Sequence, residues 1–185
     1  MRSIEQLRLS GLSEEAKAKS RLLILHSYHS VLVVSGVTMS ASRETNLACP
    51  FFVPLEMVND GSWPHPSRLP LGAGWNGNCC ASGRDQTPSE TQVREFCNLG
   101  YATGCPHLPT ERDCDAIRFS VVKISPGQVA ICFVSELAHA PIEQGTLVFD
   151  LTNEVWLNLH RDPRVLRLAT SFLQSYRTRQ KAAAA

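Results

Sequence analysis

The chain has 185 residues, 43% hydrophobic and 19% charged, with 18 Lys and Arg against 17 Asp and Glu and a formal net charge of +1. That length supports a core that folds without disulfides or a metal, and the near-neutral balance excludes a strongly basic nucleic-acid-coating protein and an acidic disordered one. The seven cysteines therefore need an explanation other than folding.

Residues 22–37, LLILHSYHSVLVVSGV, form the most apolar stretch and follow Lys17, Lys19 and Arg21. The run is 16 residues long and carries His26 and His29, too short and too polar for a membrane span of about 20 apolar residues. The segment before it, with Glu5, Glu14 and Glu15, is long and acidic for an export leader. The expectation is a cytoplasmic, bacterial-type protein without membrane association, in a reducing compartment where cysteine clusters bind metal more often than they form disulfides. Met39 opens MSASRETNLACPFF, so residues 1–38 read as an extension outside the folded unit. Residues 39–181 read as a single metal-binding domain, and 182–185 as a frayed tail.

From Cys49 to about Thr87 the chain is broken by Pro50, Pro54, Pro64, Pro66 and Pro70, then by Gly72, Gly74, Gly77 and Gly83. Few regular elements are expected at that density, and so long an irregular stretch needs something to tie it down. Thr87-Pro88-Ser89-Glu90 reads as a capping box with Thr87 as N-cap. It opens a helix through TQVREFCNL that stops at Gly100, with Val93, Phe96 and Cys97 on one face. Ala116 to Ser125 alternates apolar and polar side chains, Ser125-Pro126-Gly127-Gln128 fits a type II turn, and Val129 to Glu136 returns as a second strand. Thr146 to Leu151 is a third strand, and His139-Ala-Pro-Ile-Glu143 a loop between strands. Asp162-Pro163 caps a helix that carries Val165, Leu168, Ala169, Phe172, Leu173 and Tyr176 on one face. The fold class implied is α+β: an irregular Cys/Pro/Gly-rich N-terminal half, a three-stranded antiparallel meander and a C-terminal helix.

Five of the cysteines, Cys49, Cys79, Cys80, Cys97 and Cys105, fall in the irregular half. The ligand set read from the sequence is Cys49, Cys80, Cys97 and Cys105, with 30, 16 and 7 residues between them. Cys79 can replace Cys80, because adjacent cysteines point in different directions and rarely bind one ion together. Cys49 and Cys105 each precede a proline, as does the last cysteine of the bacterial ferredoxin run. Zinc sites usually come from paired knuckles such as C-x2-C, which are missing here; dispersed single cysteines suit a [4Fe-4S] cluster, whose corners lie farther apart than the ligands of one ion. The cofactor expected is therefore a [4Fe-4S] cluster in a structural or redox-sensing role. Zinc in an interaction or regulatory module is the alternative, and a thiol-dependent enzyme using Cys97 with His107, or Cys132 with His139, the second alternative. Gly72-Ala73-Gly74-Trp75-Asn76-Gly77 reads as backbone that approaches a cluster closely, with Trp63 and Trp75 shielding it. ACPFF is similar over five residues to the Cys-Pro-aromatic step in the iron–sulfur clamps of some DNA-processing nucleases, but the short-spaced cysteines of those enzymes are missing, so the similarity implies no activity. As partners, the strand-helix half offers a surface for another protein. The basic side of the last helix, from Arg161 to Lys181, could meet nucleic-acid phosphates, against the plainer reading of a solvated face.

Overall fold

A computed structural model describes residues 47–185 apart from 82 and 84. The chain divides after Ser42, and the second unit, Arg43–Ala185, carries the features below. The apolar run at 22–37 and the boundary read at Met39 lie outside the described residues.

The architecture is α+β. Five strands, β1 (Leu47–Ala48), β4 (Ala116–Ser125), β5 (Gln128–Leu137), β6 (Ala140–Asp150) and β7 (Val155–Trp156), form one sheet in the order β1-β4-β5-β6-β7, every neighbouring pair antiparallel. The three-stranded meander expected from the alternation is its centre. The two-residue edge strands are too short to show a period. A second sheet pairs β2 (Phe52–Val58) with β3 (Gly74–Cys79). Between the sheets in sequence, α1 (Glu90–Gln92) runs into a wider turn of helix, Val93–Cys97. The chain ends in α2 (Pro163–Ala184).

The turn between β4 and β5 follows from its residues: Ser125 pairs with Gln128, and Gly127 takes the positive φ of 75° that a type II turn requires at its third position. Inner-face residues Ile117, Phe119, Val129, Ile131, Phe133, Leu147 and Phe149 are buried against Val165, Leu168, Ala169, Phe172 and Leu173 of α2. Asp162 caps α2, its carboxylate accepting from the Arg164 N–H at 2.8 Å, and Pro163 occupies the first turn. The β2–β3 pair contributes Phe52 and Trp75 to the same core, and the Trp75 indole donates to Ser175 Oγ on α2 at 3.2 Å.

Four expectations need correction. The stretch after Cys49 is not irregular throughout, because β2 and β3 tolerate its breakers. Pro54 lies at a break in register, and Gly77 opposite it lets the Val53 carbonyl come within 2.0 Å of where a Cβ would stand. The cap of α1 is Ser89, not Thr87: Ser89 Oγ accepts from Gln92 N while the Gln92 side chain accepts from Ser89 N, a reciprocal box that Thr87 lies too early to make. Strand β6 starts at Ala140, so 140–143 are strand and not loop; Pro141 is accommodated beside a break in register at Ser135/Glu136. The alanines from Ala182 to Ala184 belong to α2, in keeping with alanine's helix propensity.

Candidate metal centre

Each of four cysteines is held by different local chemistry. Cys49 stands between β1 and β2 in a tight turn in which Phe52 N donates to the Cys49 carbonyl at 3.2 Å. Cys79 ends β3, paired with Phe52 across the sheet and bridged on its other side to Gln86 by reciprocal backbone bonds of 2.7 and 2.9 Å. Cys97 closes the wide helical turn, and the next residue, Asn98, is buried and locks that turn to β3: its side chain accepts from Trp75 N and donates to Trp75 O and Val93 O, each at 3.0 Å. Cys105 sits in a tight loop, its N–H donating to Ala102 O at 2.8 Å.

These four turns meet. Cys49, Cys79, Cys97 and Cys105 line one cavity with Phe51, Phe52, Ala81, Phe96, Ala102, His107 and Leu108. The free space in it is about 20 Å³, room for about one water. All seven cysteines are free thiols. Burial pushes the Cys49 thiol up to about 12, with the neighbouring Cys79 and Cys105 adding to the rise. Burial does the same for Cys97, also to about 12, assisted by Cys49, Cys79 and Cys105. Burial raises Cys79 too, assisted by Cys105 and Cys80. Burial and the neighbouring sulfurs keep Cys49, Cys79 and Cys97 protonated unless a positive centre offsets repulsion and lost hydration. Backbone dipoles work the other way: the backbones of Phe51 and Phe52 hydrogen-bond to Cys49, and that of Ala81 to Cys79, each favouring the thiolate. N–H groups two and three residues past a cysteine, aimed at its sulfur, stabilise and tune a sulfur that carries negative charge.

Of the two adjacent cysteines, Cys79 lines the cavity, while the Cys80 thiol donates to the Phe51 carbonyl at 3.3 Å. The sequence had placed Cys80 in the set with Cys79 as its substitute, and nothing in the spacing separated them. What separates them is the register of β3, in which Cys79 faces Phe52. Cys114 is buried and donates to Ala116 O at 3.3 Å, and Cys132 lies within β5 opposite Ser120 and Thr146. His139, seven residues beyond Cys132 and just past the end of β5, stacks on Tyr101, well away from Cys132 at about 3.3 Å per residue. His107, by contrast, shares the cavity with Cys97.

The aromatic wall is not the one expected. Phe51, Phe52 and Phe96 shield the cavity, whereas Trp75 is buried toward Ser175 and Trp63 packs over Gly74. The glycine-rich segment serves the β2–β3 pairing and not the cysteines. Among the described residues, no three or more His, Cys, Asp or Glu side chains form a group that could hold a metal ion. The four sulfurs thus share a cavity without closing on one point.

Compared with known protein families, curated proteins and solved structures, the chain matches none. The geometry of the site therefore stands on its own.

Elsewhere, three basic residues of α2, and Arg161 just before it, are engaged. Arg164 meets Asp162 and Asp113, at 2.7 and 2.8 Å, Arg177 meets Glu154 at 3.1 Å, Arg161 lies 3.6 Å from Glu143, and Arg179 donates to the Gly72 carbonyl. His160 Nε2 lies 3.3 Å from Glu143 Oε1, within ion-pair distance but without the alignment of a hydrogen bond. No helix among the described residues is long and apolar enough to cross a membrane.

Proposed function

We propose that this is a metal-binding protein in which the thiolates of Cys49, Cys79, Cys97 and Cys105 hold a [4Fe-4S] cluster in a structural or redox-sensing role. The observation that carries the reading is the gathering of four cysteines from four separate turns around one phenylalanine-walled cavity. Chance burial of thiols does not require four segments with independent hydrogen-bond anchors to deliver their sulfurs to the same place. The donor set is thiolate only, which is iron–sulfur or zinc chemistry. One zinc ion would need its four sulfurs about 3.8 Å apart, as Zn–S bonds of about 2.3 Å dictate. The phenyl rings of Phe51, Phe52 and Phe96 suit a cluster kept from water. The small free space of about 20 Å³ favours the second reading, a zinc-stabilised interaction or regulatory module, in which the sulfurs draw in around one ion.

Serine substitutions test the ligand set. Cys49→Ser, Cys79→Ser, Cys97→Ser and Cys105→Ser, made one at a time, are each expected to remove most of the metal retained through anaerobic purification. Cys80→Ser, Cys114→Ser and Cys132→Ser are expected to leave it. Loss with Cys80→Ser and retention with Cys79→Ser would return the ligand set to the assignment made from spacing alone. Retention in all four ligand variants would remove the proposal.

A further inference from the structure

Tyr101 belongs to the loop that delivers Cys105, and its side chain reaches Glu136 and the turn between β5 and β6. Its backbone takes the left-handed φ of 55°, a conformation that costs a non-glycine residue on the order of 1–2 kcal/mol and persists only where surroundings enforce it. What enforces it is the hydroxyl, which donates to Glu136 Oε2 at 2.8 Å and accepts from His139 N at 3.0 Å, while the ring stacks on the His139 imidazole at 4.1 Å. Glu136 is buried and paired with Arg118, so the anchor point is itself fixed.

The receiving element is strained as well. Leu137 pairs with Ala140, leaving Ala138 and His139 as a two-residue turn, both at positive φ, 49° and 63°. Such turns favour Asn-Gly because both central residues are left-handed; Ala-His has neither advantage. Two outside acceptors hold it: Asp115 Oδ2 takes the Ala138 N–H at 2.7 Å, and Tyr101 Oη takes that of His139. The Cys105 loop is tied at Tyr101, and within four residues Thr103 N bonds Tyr101 O and Cys105 N bonds Ala102 O. Two strained segments thus lean on a single hydroxyl.

We infer that Tyr101 is a positioning residue for the four-cysteine centre, fixing the Cys105 loop to the β5–β6 turn so that each holds the other. The inference rests on the proposed metal centre. With metal bound, Cys105 pins the loop and Tyr101 keeps the exposed turn in its left-handed form. Without metal the loop loosens and the turn loses one of its two acceptors. The surface at Ala138 and His139 therefore reports the state of a centre buried elsewhere in the unit.

The test uses the metal-loaded full chain, wild type and Tyr101→Phe, under anaerobic conditions. Metal loss into excess EDTA and amide hydrogen exchange at residues 138–140 are both followed. Tyr101→Phe keeps the stacking ring and removes the hydroxyl. It is expected to lose metal roughly tenfold faster, the scale seen when a partner behind a metal ligand is removed, and to exchange the His139 amide about three- to tenfold faster. Removing metal from the wild type is expected to speed exchange at His139 in the same direction. A second variant, Ala138→Asn with His139→Gly, relieves the turn strain and leaves the hydroxyl; it is expected to keep metal as the wild type does. Equal metal loss in Tyr101→Phe and wild type, or a His139 amide indifferent to metal, overturns the inference and leaves the metal centre standing. A wild-type chain that takes up no metal overturns both.

Discussion

The buried acids of this protein are held by specific donors. Asp115 is 6% exposed, and burial by itself works to raise its pKa. The Ala138 N–H, the Arg112 guanidinium and the nearby His139 outweigh burial and hold the carboxyl below its usual range. Tyr101 next to it is pushed up to about 12, by burial first and then by its bond to Glu136, and so stays a donor at any physiological pH. A carboxylate whose pKa is lowered by folding adds stability above its unfolded value of about 4, and that stability is lost as pH falls through the folded value. The melting temperature should accordingly decline as pH drops below about 4. Asp115→Asn should melt lower than wild type at pH 7 and show a shallower decline in acid. Thermal melts across that range check this, and parallel curves for the two proteins would show that Asp115 does not carry the acid dependence. None of this network was legible in the sequence. Tyr101, Asp115, Glu136 and His139 are spread over 39 residues and carry no motif; backbone bonds from Tyr101 to Asp115 and from Asp115 to Glu136, with the β5–β6 turn, bring them together. The crowding of the cysteines was legible, since five of the seven fall between residues 49 and 105. The choice between Cys80 and Cys79 depends on strand register, which spacing does not encode.

At the scale of elements, the sequence was most informative where a period or a cap acts alone. The alternation in β4 and β5, the Pro-Gly turn between them, and the Asp-Pro start of α2 each follow from a local rule, and each is found. The β2–β3 pair was missed because Pro54 and Gly77 read as breakers, yet tertiary pairing places one at a register break and uses the other for close approach. That makes Gly77 the sharpest probe of the second sheet. A methyl there would stand 2.0 Å from the Val53 carbonyl oxygen, and the obstacle is backbone that has no rotamer to change. Gly77→Ala should destabilise the unit by on the order of 1–3 kcal/mol, the usual cost of overpacking, measured as a lower denaturant midpoint. It should also weaken metal retention, because β3 ends at Cys79. Unchanged stability would mean that β2 and β3 separate easily, and that Cys79 owes its position to other contacts.

For the whole molecule, the division of labour runs along the chain. The five-stranded sheet and α2 supply a core that needs no metal, with Ile131, Leu168 and Ala169 fully buried. The segment from Cys49 to Cys105 adds to that core Phe52, Leu71, Ala73, Trp75 and Cys97, with Cys49 and Met57 packed against it. It folds back on itself around the four thiols, where a bound metal would add most to its stability. In the proposed reading, the cysteines that seemed surplus to a chain of this length would serve that segment. The measurement that meets this account most directly is the metal content and visible spectrum of the full chain expressed and purified without oxygen. The account predicts a brown protein with about four irons and four sulfides per chain. A colourless protein with one zinc per chain would contradict the cluster and support the zinc reading. A colourless, metal-free protein whose four cavity thiols alkylate without loss of structure would contradict the metal centre altogether.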